Sequence, residues 1–224
     1  MSFKARGFIA LAGIAASALV ASGASYGIDD GTAEDSIGIG ASHTAVWLNT
    51  FALTGGDTAI TQISVAYGTP NFPDALNGQP VTILLYSDPD GGDPSNGTLV
   101  WSFATTIANS ATNTFNNYAV PGVVTGTNFA VGFQYNEPAA AGSFPAAWSS
   151  SAPIAGRSWA GFQTPNNPAI NPANLAAIPA GQRGFIEGFG LAGNWLIRAE
   201  GAVPTPGAAS LLGLAGLAGL RRRR

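Results

Sequence analysis

Residues 128–135, NFAVGFQY, alternate large apolar side chains with small or polar ones. The large side chains fall on every second position, at Phe129, Val131, Phe133 and Tyr135. Because successive side chains of a β-strand point to opposite faces, this period of two predicts a strand with one face in a hydrophobic core. It is the cleanest periodic segment of the chain.

The same period recurs on both sides of this strand. It is found over residues 61–67, 99–103 and 194–200, whereas residues 81–86 are apolar on both faces and predict a central strand. Further strands are expected over residues 46–53, 114–120 and 157–162. Many short strands separated by turn residues indicate an all-β fold, an antiparallel β-sandwich of the jelly-roll kind.

Helical periodicity is almost missing between the two termini. Residues 171–180 can hold one short helical turn, because Asn171 can cap it and Pro172 suits its first position. Residues 139–155 and 162–184 are rich in Pro, Ala, Asn and Ser and predict long irregular loops. Loops of that length in a compact domain are usually functional or mobile.

The amino terminus has the features of a secretory signal. Lys4 and Arg6 precede an apolar stretch over residues 7–20, and small residues stand at Ser22 and Ala24. We therefore predict a signal helix within a signal peptide of residues 1–24, which signal peptidase removes between Ala24 and Ser25. The chain is then exported through the cytoplasmic membrane.

The carboxyl terminus carries three features in a fixed order. Pro204, Thr205 and Pro206 precede the apolar run GAASLLGLAGLAGL of residues 207–220, and the chain ends in Arg221, Arg222, Arg223 and Arg224. As a helix, the run spans about 21 Å at about 1.5 Å per residue, which is less than the roughly 30 Å of bilayer hydrocarbon. The arginines hold the end on the cytoplasmic side. This short transmembrane segment suits a processed sorting signal, and an ordinary tail anchor is the alternative.

This carboxyl-terminal arrangement resembles the PEP-CTERM sorting signal of Gram-negative and related bacteria. In that family, a Pro-Glu-Pro-like motif, a transmembrane stretch and a basic end are recognised by exosortase, a membrane protease. The resemblance implies that an exosortase-type enzyme processes residues 204–224. It also implies transient anchoring in the cytoplasmic membrane, followed by a cell-surface or extracellular location. Thr205 stands where the family usually has Glu, so the processing enzyme is left open.

Residues 25–203 remain as the mature domain, a length typical of one folded unit. Its basic residues are Arg157, Arg183 and Arg198, while all twelve acidic residues of the chain fall within it, so its net charge is −9. Three separated cations cannot neutralise many phosphates, which excludes nucleic acid as a partner. Without cysteine, the domain must depend on its packed core.

Three stretches of this domain are similar to an accessory β-sandwich domain of exported bacterial proteins. They are YGIDDGTAE at residues 26–34, GRSW at residues 156–159 and GNWLIRA at residues 193–199. The resemblance implies the sandwich fold and brings no ligand or activity with it. If the first and last strands pair, Asp29 or Asp30 can form an ion pair with Arg198, which stands among apolar strand residues.

Enzymatic chemistry has few candidates. His43 is the only histidine, and a hydrolase would need it between a nucleophile such as Ser42 and a carboxylate. Glu187, in an apolar surrounding, is the best candidate acid for glycoside hydrolysis. We expect both residues to be non-catalytic, and a secreted hydrolase with an unrecognised site remains an alternative.

No cofactor or metal site is predicted for this chain. Asp88, Asp90 and Asp93 offer oxygen ligands for calcium between glycines, but the downstream glutamate of a tight calcium loop is missing. The sequence therefore leaves calcium binding open.

Tryptophans suggest the other alternative, a carbohydrate-binding module for an exopolysaccharide. Trp101 and Trp195 alternate with small or polar residues and are expected in the core. Trp148 and Trp159 lie in or beside predicted loops and are the candidates for a glycan-stacking platform. The preferred interpretation is a non-catalytic, exported sandwich, whose ligand and oligomeric state the sequence does not determine.

Overall fold

A computed structural model describes residues 21–203 of the chain, except residues 124, 138–142 and 165–168. The described residues form thirteen strands: β1 (Ala21–Tyr26), β2 (Asp35–Ile39), β3 (Thr44–Ala52), β4 (Ala59–Val65), β5 (Pro80–Asp88), β6 (Thr98–Thr106), β7 (Asn116–Val123), β8 (Asn128–Asn136), β9 (Ser143–Ser149), β10 (Ser158–Gln163), β11 (Arg183–Phe185), β12 (Asn194–Trp195) and β13 (Ile197–Val203). Short 3₁₀ helices cover Pro94–Asn96, Leu175–Ala177, Ala180–Gln182 and Ile186–Phe189. The predicted all-β class is confirmed.

The strands form three sheets. One sheet has the order β1-β13-β4-β7, a second has the order β11-β10-β3-β8-β5-β6, and a small third has the order β12-β9-β2. The pairings whose registers are resolved are antiparallel. The first two sheets enclose the main hydrophobic core, so the fold is an antiparallel β-sandwich.

Strand β8 lies at the centre of the six-stranded sheet, between β3 and β5. Its large side chains enter the main core, where Phe133 lies 5.1 Å from both Trp47 and Tyr67 between ring centroids. A Cβ at Gly132 would collide with the carbonyl oxygen of Trp47, so glycine is required there. The large side chains whose spacing predicted this strand lie on the face that packs into the main core.

Strand β5 confirms the prediction of a central strand with two apolar faces. Ile83 and Leu85 enter the main core, and Leu84 and Tyr86 enter a second core on the opposite face of the sheet. All four side chains are fully buried. A strand that is buried on both faces needs this continuous apolar sequence.

The second core is covered by a segment that the sequence predicted as a functional or mobile loop. Ile170, Leu175 and Ile178 are buried against the sheet, and Tyr86 donates a hydrogen bond to the carbonyl oxygen of Pro172 at 2.8 Å. A helical turn is present in this range as the 3₁₀ helix Leu175–Ala177, but it follows Asn174 rather than the predicted cap Asn171, and no side-chain hydrogen bond caps it. Residues 169–178 are thus a structural cover rather than an unattached loop.

Two other predictions differ from the structure. Residues 139–155, expected as a loop, contain β9. Its sequence SFPAAWS has no alternation of large apolar and polar residues, although most of its positions are buried. Trp101, expected in the core, is half-buried because β6 is the outermost strand of its sheet. Trp195, by contrast, is 1% exposed, as expected.

The predicted terminal segments fall almost entirely outside the described residues. The signal helix lies in residues 1–20, and the sorting tag and its transmembrane segment lie in residues 204–224. Within the part of the chain that is described, no helix has the length and apolar character needed to span a bilayer. The predicted boundary between Ala24 and Ser25 lies inside β1.

The covering segment yields a stability prediction. Replacing Ile178 by alanine should lower the free energy of unfolding by about 2–4 kcal/mol, because it leaves a cavity in the second core. Exposed Ala176 is the matched control, and its change to serine should cost no more than about 0.5 kcal/mol. Urea denaturation of both variants measures the difference, and equal midpoints would contradict the structural role of the cover.

Candidate binding pocket

An apolar cavity lies where the small third sheet approaches the six-stranded sheet. This β2–β10 pocket has a volume of about 380 Å³. Its walls come from β2, from the start of β3, from β10 and from the segment around β12. The lining residues are Ile37, Gly38, Ile39, Gly40, His43, Ala45, Trp47, Ala160, Gly161, Phe162, Phe189, Leu191 and Trp195.

The walls are almost entirely apolar. Phe162 and Phe189 lie 6.0 Å apart between ring centroids, and Phe189 is 38% exposed at the mouth. Trp195 contributes no free donor, because its indole N–H donates to the carbonyl oxygen of Trp159 at 2.9 Å. Pockets of this size with apolar walls and few polar groups are typical small-molecule sites.

His43 is the titratable residue of this lining. Its Nδ1 lies 3.0 Å from the carbonyl oxygen of Ala41, and a carbonyl only accepts, so the neutral ring carries its hydrogen on Nδ1. The other ring nitrogen, Nε2, is then left as a hydrogen-bond acceptor. The pocket can therefore bind an apolar or aromatic group that carries a single hydrogen-bond donor.

The hydrolase arrangement considered for His43 is not assembled among the described residues. Ser42 is exposed in a left-handed backbone conformation with φ of 62°, and the His43 ring has its hydrogen bond to Ala41 rather than to a hydroxyl or carboxylate. Glu187 has both carboxylate oxygens buried without a hydrogen-bond partner in the described part of the chain. The structure does not bring Glu187 to the β2–β10 pocket.

The predicted glycan platform of Trp148 and Trp159 is wrong for Trp159. This residue is fully buried in the second core, because β10 pairs with β3 and the covering segment closes over it. Trp148 is half-buried in β9 opposite Trp195, and its indole nitrogen is buried. Because Trp159 is closed off from solvent, it cannot stack on a sugar, and the platform of two tryptophans is not formed.

A different row of aromatic rings lies at the edge of the sandwich, where Phe103 is exposed and Trp101 and Tyr118 are half-buried. Trp101 and Phe103 on β6 are stacked, with 6.0 Å between ring centroids and 15° between ring planes. Tyr118 on β7 lies 6.4 Å from Phe103, which is 47% exposed. We call these three residues the edge aromatics. The sequence pattern could not reveal them, because alternation does not say which strand is outermost.

The acidic loop considered for calcium forms hydrogen bonds within itself. Asp88 accepts from the backbone of Gly91 at 3.2 Å, Asp90 accepts from Asn96 at 3.0 Å, and Asp93 caps the helix Pro94–Asn96. Burial raises the pKa of Asp88, whereas the Gly92 N–H lowers the pKa of Asp90. Among the described residues, no three acidic or histidine side chains form a group that could hold a metal ion.

The predicted ion pair of Arg198 is confirmed for Asp29. Their closest atoms, Nη2 and Oδ1, are 2.5 Å apart, and the guanidinium carbon lies 4.2 Å above the centre of the Phe115 ring. The charge of Arg198 is therefore satisfied on two sides, by the carboxylate and by the aromatic face. This contact is structural and does not form a catalytic site.

Asp30, the other candidate for that pair, instead accepts hydrogen bonds from the hydroxyl groups of two serines. The Ser151 hydroxyl lies 2.7 Å from oxygens of both Asp30 and Glu34, and Ser149 donates to Asp30 at 3.1 Å. Hydrogen bonding from Ser151 lowers the pKa of Asp30. Burial raises the pKa of Glu34, but hydrogen bonds from Ser151 and Ser150 outweigh it and lower the pKa overall. These carboxylates stabilise the fold near neutral pH and lose that effect as acid protonates them.

No protein-family model matches this chain, and no curated protein does so either. Its function is therefore inferred from its residues and their geometry.

The pocket yields a binding prediction. Changing Ala160 to leucine should fill part of the pocket, since Ala160 lines it from β10. An environment-sensitive apolar fluorophore should then bind several-fold more weakly than to the unchanged protein. Exposed Ala104 on β6 is the matched control, and its change to leucine should leave the fluorescence unchanged. Equal titration curves for all three proteins would contradict binding in this pocket.

Proposed function

We propose that this chain is an exported bacterial surface protein. A secretory signal and a PEP-CTERM-type sorting tag bracket its non-catalytic sandwich. The observation that carries this proposal is the extent of the compact unit, which runs from Ser22 to Val203. It ends directly before Pro204 of the sorting motif and begins at Ser22, within the small-residue cleavage sequence. The compact unit therefore matches residues 25–203, the length that the two processing signals leave, except for residues 22–24.

The strand order supports a jelly-roll assignment for this sandwich. Its two principal sheets contain β1-β13-β4-β7 and, within the larger sheet, β3-β8-β5-β6. The chain crosses between these sheets from β3 to β4, from β4 to β5, from β6 to β7 and from β7 to β8, whereas β5 and β6 form a hairpin within one sheet. This winding supports an assignment to two interlocked Greek keys, as in a jelly roll.

The sorting segment has features that suit recognition by a membrane enzyme. Gly213, Gly216 and Gly219 recur at every third residue of the apolar run, a spacing that would leave a groove on one face if the run were helical. Small residues let another helix approach closely, which suits docking into an exosortase-type protease. The terminal arginines would then orient the helix and leave Pro204 and Pro206 at the outer face of the cytoplasmic membrane, where cleavage would occur.

A non-catalytic role agrees with the chemistry of the β2–β10 pocket. Its histidine bonds to a backbone carbonyl, and its other walls are apolar. Among the described residues that line it, none supplies the nucleophile or the orienting carboxylate of a hydrolase, and the apolar walls suit ligand binding instead. We infer that this surface protein binds a small apolar or aromatic group there.

Processing of the tag is the direct test of the proposal. Replacing the four terminal arginines by glutamine, or Pro204 and Pro206 by alanine, should leave unprocessed precursor in the cytoplasmic membrane. Cell fractionation with intact-mass analysis measures this outcome.

Exposed Arg157 and Pro153 provide the matched controls, and changing them in the same way should not affect processing. If the surface form of the unchanged protein keeps Arg224, the segment is a plain anchor and the proposed processing does not occur.

The edge aromatics favour a second candidate function, binding of an exopolysaccharide. Two stacked rings and a neighbouring tyrosine at an open sandwich edge can contact the apolar faces of successive sugars. An open edge also lets a polymer extend beyond the site in both directions. This candidate replaces the Trp148 and Trp159 platform, in which Trp159 is fully buried, with the edge aromatics, in which Phe103 is exposed.

Affinity electrophoresis against a polysaccharide panel tests this second candidate. Changing Phe103 to alanine should weaken retardation by a retained polysaccharide about tenfold, which corresponds to about 1.4 kcal/mol. Phe72 is 67% exposed outside the edge aromatics, and its change to alanine should leave retardation unchanged. If both variants migrate like the unchanged protein, the edge aromatics do not bind the polysaccharide.

A further inference from the structure

Asp57 has a buried carboxyl group that no cation contacts in the described part of the chain. The residue is 7% exposed, and its Oδ2 accepts hydrogen bonds from the Tyr26 hydroxyl at 2.7 Å and from the backbone N–H of Ala24 at 2.9 Å. Its other oxygen, Oδ1, is buried without a hydrogen-bond partner in the described part of the chain. Among the described residues, the ion pair of Arg198 with Asp29 is the one salt bridge, so no arginine reaches Asp57.

Such an arrangement is costly for a folded domain. A buried carboxylate without a compensating charge loses hydration that two neutral hydrogen bonds replace only in part. Because the domain has three arginines and no lysine, side chains offer few cations to this site. An α-ammonium group is the remaining source of positive charge in a mature chain.

Ala24 lies where such a group would be created. Two overlapping sequences carry small residues at the positions that signal peptidase reads: Ser22-Gly23-Ala24 and Ala21-Ser22-Gly23. Cleavage after Ala24 would remove the nitrogen that donates to Asp57. Cleavage after Gly23 would keep it and give it a positive charge.

We propose that signal peptidase cleaves between Gly23 and Ala24, and that the new α-ammonium of Ala24 forms an ion pair with Asp57. This inference rests on the proposed export of the protein, and it moves the cleavage site by one residue. Water adds across the Gly23–Ala24 peptide bond. Gly23 leaves as a carboxylate, and the Ala24 nitrogen gains both water hydrogens and becomes an ammonium.

The surroundings of Asp57 suit this exchange. Gly23 packs against Oδ1 so closely that a Cβ there would collide with it. Removal of Gly23 therefore frees space beside the oxygen that has no partner. The ammonium has three hydrogens where the amide had one, so it can serve both oxygens of the carboxylate. The sandwich thus gains its full stability only after export and cleavage.

The lysine-free domain allows a selective experiment. Lys4 is the only lysine of the chain, so after cleavage the α-amine is the single primary amine of the protein. We would purify the protein from an exporting bacterium and determine its first residue by N-terminal sequencing. Its reaction rate with an amine-acylating reagent would then be measured in the folded state and in urea.

Sequencing should begin at Ala24, and the folded protein should react about tenfold more slowly than the denatured one, corresponding to about one unit of amine pKa. In an Asp57→Asn variant the folded amine should react faster, while Asp90→Asn, at an exposed carboxylate, is the control. The comparison with urea needs no variant and stands even if Asp57→Asn does not fold.

The possible failures are distinguishable. A chain that begins at Met1 would overturn both the proposed export and this inference. A chain that begins at Gly23 or Ser25 would leave export intact and overturn the inference alone. A first residue of Ala24 whose amine reacts equally fast in the folded protein and in urea would overturn the ion pair.

Discussion

Burial of both faces of one sheet is the constraint on which this structure depends. The β3-β8-β5 strands face the main core on one side and the second core on the other. An antiparallel sheet more often leaves one face to solvent, so the second face here needs a cover. Gln134 of β8 connects the two by donating to the carbonyl oxygen of Ile170 at 3.1 Å. Residues 169–178 thereby become part of the fold, although they contain little regular structure.

The same sheet order determines where ligands can reach the molecule. Because β6 is outermost, Trp101 remains partly exposed although it packs against the main core, and Phe103 is 47% exposed. At the other side, β10 and β3 meet the small sheet containing β2, and the space between them is the β2–β10 pocket. Both candidate binding surfaces are therefore places where the packing of the sheets is incomplete.

Scarcity of positive charge shapes the electrostatics of the domain. Arg198 is used structurally, between Asp29 and the ring of Phe115. Other carboxylates, such as Asp30 and Glu34, depend on hydroxyl and backbone N–H donors, which keep their pKa values low. Asp57 accepts two hydrogen bonds at Oδ2 and, among the described residues, none at Oδ1. A newly formed amino terminus is therefore the partner that suits it. An acidic domain without lysine thus links its processing to its stability.

The sequence by itself determined the all-β class, the positions of β5 and β8, and the expectation that Arg198 pairs with Asp29 or Asp30, between which the structure decided for Asp29. Those features depend on local alternation and on charges in strands, which a single chain displays directly. Only the tertiary structure decided that Trp159 is buried and Trp101 is at an edge, that residues 169–178 form a cover, and that Ala24 contacts Asp57. Each of these depends on which strands become neighbours, and side-chain alternation is the same in an edge strand as in a central one. Distant strands also build the β2–β10 pocket, so no local pattern could have revealed it.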